Sequence, residues 1–211
     1  MVMAKVCGIT RPEDARFAAK CGAGALGFIF VPGSKRCVSP ELPAALADDL
    51  PPFVWRVGVF ADQPVADVLA IAAAARLDMV QLHGRESADT VAAVAAVKPV
   101  LRAVLVDMPD LAGVMQACAP HVRAFLVDSG HGTGRTFDWS ILADLPATRP
   151  IVVAGGLDGG NVGDLLRVFR PAGVDASSRL ESAPGLKDHR LVAAFVAAAG
   201  AAAGNAAGAG A

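Results

Sequence analysis

The feature that most constrains this chain is a regular alternation of short apolar runs with helix-forming segments. Strand-like runs fall at residues 4–7, 25–30, 54–60, 79–82, 100–106, 124–127, 151–154 and 173–176. They are continuously apolar rather than alternating, as expected of strands buried on both faces. Helix-like segments separate them. Thr10 and Glu13 have the spacing of a capping box at the first helix. Ser39 precedes Pro40, a capping residue followed by a proline at the first helical position of the second. Further helices are predicted over 65–75, 87–97, 111–118, 139–145, 161–169 and 188–198. Eight β–α units in 211 residues predict a single-domain (β/α)8 TIM barrel near the lower size limit of that fold. An open doubly wound sheet would have to reverse its strand order and seldom uses eight evenly spaced units. The barrel is expected over residues 1–199, and the Ala/Gly-rich stretch 200–211 is expected to be a disordered tail.

Composition narrows the partners. Hydrophobic residues make up 54% and charged residues 18%, which excludes a disordered body. The formal net charge is −1 with no basic stripe, so a nucleic acid is not an expected partner. Cys7, Cys21, Cys37 and Cys118 form no C-x-x-C pair and no cysteine–histidine spacing suited to zinc. No metal site is expected, and reduced thiols suit a cytoplasmic protein. The N-terminal segment carries Lys5, Arg11, Glu13 and Asp14 with no apolar core, so no signal peptide is expected. The longest uncharged apolar stretch, 191–203, is alanine-rich and interrupted by Gly200, too weak for a membrane span.

Barrel chemistry collects at the carboxyl ends of the strands. Reading only those ends gives Cys7, Arg36, Asp62, His83, Asp107, Asp128, the pair Gly155-Gly156, and Ser177-Ser178 just after Asp175. Cys7 closes the first apolar run immediately before Gly8, so its thiol sits at an exposed strand end rather than in a core face. Cys21, Cys37 and Cys118 read as small buried hydrophobes. Gly155-Gly156 and Ser177-Ser178 lie in the loops after strands seven and eight, where backbone N–H groups and a helix start commonly hold a phosphate. Arg36 sits in a polar loop; it is either a solvated charge or a fork for a carboxylate. His83 is either a satisfied strand-end hydrogen bonder or a ligand contact. Asp62 and Asp107 read as caps of the helices that follow them. Asp128 ends an apolar run and precedes the glycine-rich run Gly130-His131-Gly132-Thr133-Gly134, which suits a loop that closes over a substrate.

Taken together, these motifs resemble the phosphoribosylanthranilate isomerase family. The resemblance is carried by Lys5-Val6-Cys7-Gly8-Ile9-Thr10, Leu26-Gly27-Phe28, Ser34-Lys35-Arg36, Gln81-Leu82-His83-Gly84 and Val127-Asp128-Ser129. It continues through Gly132-Thr133-Gly134-Arg135-Thr136-Phe137-Asp138-Trp139, Ala154-Gly155-Gly156, Asp175-Ala176-Ser177-Ser178 with Glu181, and Pro184-Gly185-Leu186-Lys187-Asp188. It implies an Amadori rearrangement of a small phosphosugar, N-(5-phosphoribosyl)anthranilate, in tryptophan biosynthesis, with no cofactor.

By the same resemblance Cys7 is the general base and Asp128 the general acid. Arg36 takes the anthranilate carboxylate, and Gly155, Gly156, Ser177 and Ser178 take the phosphate, with His83 and Asp175 completing the substrate-binding set. The chemistry would need the Cys7 pKa to fall from about 8.5 and that of Asp128 to rise from about 3.9. Lys5 is not counted as a helper, because its side chain is expected to take a different direction or depth.

Two positions depart from the family pattern: His131 and Arg179 stand where the family usually has glycine. If Arg179 inherits a positive φ it is strained by roughly a kilocalorie or more. An indole-3-glycerol-phosphate synthase would need a strand-end lysine that this chain does not supply, while ribonucleotide-type aminoaldose isomerases use a carboxylate in place of Cys7. A catalytically silent phosphate-binding barrel is the remaining alternative. Monomer and homodimer stay equally open.

Overall fold

The computed structural model describes residues 2–130, 136–146 and 148–204. Eight strands form a closed barrel in chain order: β1 Met3–Cys7, β2 Ala25–Ile29, β3 Trp55–Phe60, β4 Met79–Leu82, β5 Val100–Leu105, β6 Ala124–Asp128, β7 Ile151–Val153 and β8 Gly173–Ala176. Each lies within one residue of its predicted bounds. All pairings between these strands are parallel, and β8 pairs back onto β1 from Met3↔Gly173 to Val6↔Ala176. That closing pair excludes the open sheet.

The two faces of each strand do different work. Val6, Leu26, Phe28, Phe125 and Val127 point outward and join one large core with the helices. Leu101, Ala103, Leu126, Val152 and Ala154 point inward and form a small separate cluster. Each fully buried Leu, Val or Phe contributes about 1.5–3 kcal/mol by leaving water. Small inward residues leave a cavity of about 140 Å³ at the amino end of the barrel, walled by Met3, Ala25, Trp55 and Val57, with Lys5 among its lining.

The outer layer contains α1 Pro12–Lys20, α2 Glu41–Leu46, α3 Val65–Ala74, α4 Ala88–Ala95, α5 Leu111–Cys118, α6 Val162–Val168 and α7 His189–Gly204. Between β6 and β7 the predicted helix is instead a 3-10 segment, Trp139–Asp144. Pro146 limits it, because the residue before a proline is driven into extended backbone, and Leu145 is extended there.

The predicted capping box at α1 is not formed. Pro12 pushes Arg11 into extended backbone, which makes Arg11 the capping residue by geometry. The Thr10 hydroxyl instead donates to the Gly185 carbonyl, 2.5 Å away. At α2, Pro40 takes the capping position that Ser39 was expected to hold, and Glu41 begins the helix. A short antiparallel hairpin, β9 Glu181–Ala183 and β10 Leu186–Lys187, follows β8. Helix α7 continues past residue 199 to Gly204; the rest of the expected tail, 205–211, lies outside the described residues. Among the described residues no helix is long and apolar enough to cross a membrane.

Candidate active site

Cys7 and Asp128 are the last residues of β1 and β6. Parallel strands in one barrel end at one rim, so both side chains belong to the same mouth. Cys7 is only 6% exposed. It pairs in register with Gly27 of β2, and a Cβ added at Gly27 would lie 2.5 Å from the Cys7 sulfur. Glycine is therefore what leaves room for the thiol. Two residues earlier on the same face, Lys5 is 2% exposed and donates to Asp175 Oδ1 at 2.9 Å. The two-residue period of a strand puts Lys5 and Cys7 on one side, so Lys5 differs from Cys7 in depth, as one half of the expectation had it, and not in direction. Burial pushes the Cys7 thiol above its ordinary value; Lys5 and Lys187 pull it down and Asp175 pushes it up. With these neighbours the thiol is the favoured form, opposite to the thiolate that the sequence reading required.

Arg36 closes over Gly8, next to Cys7. Its Nε and Nη2 donate to the two Glu181 oxygens at 2.8 and 2.7 Å. Glu181 also accepts from Lys187 Nζ at 2.8 Å, and that ammonium donates to the Ser177 carbonyl at 3.1 Å. Hairpin β9–β10 thus grips one edge of the guanidinium. The edge between Nη1 and Nη2 points away from that grip and has the geometry to take a carboxylate.

His83 follows β4, and its Nε2 lies 3.4 Å from Asp128 Oδ2. Gln81 Nε2 is 2.9 Å from His83 Nδ1. With the amide donating, the ring proton sits on Nε2 and faces the carboxylate. Asp128 Oδ1 accepts from Gly130 N at 3.2 Å and Ser129 Oγ at 3.4 Å. Burial pushes the Asp128 carboxyl up, but the His83 hydrogen bond, with the Gly130 and Ser129 donors, outweighs it and holds the carboxyl below its usual value. These partners therefore favour the carboxylate, where the sequence reading required an acid.

Gly155 and Gly156 follow β7 with φ of +88° and +62°. A Cβ at Gly155 would meet Ser129 Oγ at 2.5 Å, so the positive φ and the close approach both select glycine. These glycines, Ser177 and Ser178 line a cavity of about 60 Å³ that reaches Asp128 and Asp175. Ser177 Oγ is buried there and has no hydrogen-bond partner among the described residues, the condition of a group that awaits a ligand. Arg179 also lines this cavity, but its φ is not positive: it sits in a 3-10 turn, Ser178–Leu180. The expected strain is absent, and its Nε donates to Asp158 Oδ2 at 2.6 Å. His131 and residues 132–135 lie outside the described residues.

The family model for N-(5'-phosphoribosyl)anthranilate (PRA) isomerase matches residues 4–198. The chain belongs to the N-(5'-phosphoribosyl)anthranilate isomerase family. It is 46% identical to the N-(5'-phosphoribosyl)anthranilate isomerase of Deinococcus radiodurans over 200 residues, covering 92% of this chain and 95% of that one. It is similar to a crystal structure of phosphoribosyl anthranilate isomerase in complex with reduced 1-(o-carboxyphenylamino)-1-deoxyribulose 5-phosphate. There the TM-score is 0.84 at 39% identity, covering 95% of this chain and 100% of that one. A monomeric form generated from the dimeric Thermotoga maritima isomerase gives a TM-score of 0.82 at 38% identity, covering 95% and 100%.

Within this family frame, the residues brought to the mouth include several that strand-end reading did not single out. Glu181 and Lys187 stood inside quoted motifs, but a hairpin after the last strand is not a strand end. Glu86 was missed altogether. Its carboxylate accepts from the backbone N–H of Asp62 and Gly84 and from Arg102 Nη1 at 2.7 Å. Arg102 also donates to the carbonyls of Leu82 and Gly84. This buried pair fixes the loop that carries His83. A lone arginine in an apolar strand run was the available signal. Asp62 is structural, as expected, but it accepts from Arg85 N rather than capping α3, which Pro64 precedes. Among the described residues no group of three or more His, Cys, Asp or Glu side chains could hold a metal ion.

Proposed function

We propose that Cys7 and Asp128 are the base and the acid of the family's isomerisation. The reaction is the Amadori rearrangement of N-(5'-phosphoribosyl)anthranilate to 1-(2-carboxyphenylamino)-1-deoxyribulose 5-phosphate, a step of tryptophan biosynthesis. The Asp128 carboxyl gives its proton to the furanose ring oxygen. The C1–O bond breaks as the anthranilate nitrogen donates its lone pair, leaving a protonated Schiff base. Cys7 takes the proton from C2, and the C–H electrons form the enolamine. Loss of the C2 hydroxyl proton and protonation at C1 give the ketone. Every electron pair comes from the substrate, so no cofactor enters.

Arg36 offers its outward edge to the anthranilate carboxylate. Gly155, Gly156, Ser177 and Ser178 receive the phosphate, with His83 and Asp175 beside the reacting sugar. The phosphate dianion would lie in a cavity that Asp128 also lines, and a like charge there favours the protonated carboxyl. One observation carries this reading: the thiol and the carboxylate terminate two parallel strands of one closed barrel. The chain acts on a small molecule, as a monomer or a homodimer, and the cytoplasm suits its reduced thiols. Cys7→Ala and Asp128→Ala should each lower turnover on freshly made phosphoribosylanthranilate by about 10²–10⁴-fold, with circular dichroism unchanged. Near-normal turnover in a folded variant would overturn the role assigned to that residue.

A further inference from the structure

We infer that Lys5 is a positioning residue for this reaction, held by Asp175 so that its ammonium keeps the charged form of the Cys7 sulfur available inside the barrel. The inference rests on the reading of Cys7 as the base.

An ammonium in a barrel interior needs a reason. Taking it out of water costs several kcal/mol even after relaxation, and nothing apolar is gained by placing it there. Below it lies the apolar cavity walled by Met3, Ala25, Trp55 and Val57. One carboxylate answers it directly: Lys5 and Asp175 are partners in the β1–β8 register, 2% and 7% exposed, and joined at 2.9 Å. The ammonium has three donors, and that bond uses one of them. The two-residue period of β1 puts the Cys7 sulfur next along the same face, above the ammonium's remaining donors.

The charges around the sulfur leave a place for one more anion. Lys5 comes from β1, Asp175 from β8, Lys187 and Glu181 from the hairpin, and Arg36 from the loop after β2. Three cations face two carboxylates, so a thiolate brings the group to neutrality. Arg36 and Lys187 are both tied to Glu181. Lys5 is the cation bonded to Asp175 and shares the sulfur's own strand face. Deleting its charge withdraws a counter-charge from the thiolate and leaves Asp175 unanswered beside it.

The experiment is a titration of the Cys7 thiolate by its ultraviolet absorbance, with Cys7→Ser subtracted to remove the other cysteines, alongside the pH profile of kcat and KM. In Lys5→Met the thiolate midpoint should rise by about one pH unit or more, a tenfold loss of thiolate at fixed pH. kcat near neutrality should fall by a similar factor, KM should stay within about threefold, and the alkaline limb of the profile should move to higher pH with the thiol. In Asp175→Asn the midpoint should move down, because an anion beside the sulfur has gone. Opposite movements distinguish charge from packing, since loosened packing would shift both variants the same way. If Lys5→Met does not fold, the double variant Lys5→Met/Asp175→Asn is compared with Asp175→Asn, and its midpoint should be the higher. An unchanged midpoint, or movement in one direction in both variants, overturns the inference. Full turnover in Cys7→Ser would instead remove Cys7 as base, while the titration still reports whether Lys5 governs the thiol.

Discussion

Burial raises the Cys7 thiol, while the donors around Asp128 outweigh that carboxyl's burial and lower it. The reaction needs the thiolate and the carboxylic acid. Both arrangements hold one proton; it simply sits on the other residue. When two groups share a proton in this way, the limbs of the pH profile are exchanged. The acidic limb of kcat/KM should follow Asp128 and the alkaline limb Cys7. His83→Asn removes the main donor facing Asp128, so the acidic limb should move to higher pH; a profile identical to that of the parent chain would reject this assignment of the limbs. Gly27→Ala tests the space around the sulfur. Its Cβ would lie 2.5 Å from Sγ, so it should lower kcat at least tenfold and cost about 1–3 kcal/mol by overpacking, read by turnover and urea unfolding. Cys7 and Asp128 were legible because each ends an apolar run in a polar residue. Lys5 was not, because an isolated lysine in a strand gives no sign of a carboxylate waiting 170 residues away.

Among the elements, the loop after β4 owes its shape to one buried ion pair. Arg102 and Glu86 side chains are nearly inaccessible and hold the backbone on both sides of His83. Breaking such a pair by removing one partner leaves an uncompensated charge. Arg102→Met should therefore destabilise the fold by about 3–5 kcal/mol, and a chemical denaturation curve would show it. The hairpin gives a gentler case. Glu181→Gln keeps one acceptor for Arg36 but removes the charge shared with Lys187. KM should rise several-fold, because the guanidinium edge facing the substrate loses its fixed angle; an unchanged KM would separate the hairpin from substrate binding. The strands were readable because burial on both faces leaves a continuous apolar run. Helix starts were less so. Thr10 had a capping residue's chemistry, but a carbonyl on the distant hairpin competed for its hydroxyl, and Pro12 had already set the backbone of Arg11. The segment at Trp139 had helical composition without the length for an α-helix before Pro146.

For the molecule as a whole, several carboxylates are held below their ordinary values by partners made only on folding. Asp78 pairs with Arg56, Asp128 with His83, Asp158 with Arg179, and Glu181 with Arg36 and Lys187; in each the partner outweighs the upward push of burial. A depressed folded pKa contributes stability that is present above the unfolded value and lost as the pH falls through the folded one. The chain should hold its stability down to about pH 4 and lose it progressively below, where unfolded aspartate and glutamate begin to take up protons. Thermal melts across that range should show a falling midpoint, with little change between about pH 5 and 7. The closed order of strands was legible from eight even repeats, and the charged pairs that join distant strands were not, since register is a property of the closed ring. The closing β1–β8 register joins more than backbone. Lys5 lies on β1 and the carboxylate that answers it on β8, so the ring's final seam is also where the charges beside the sulfur are joined.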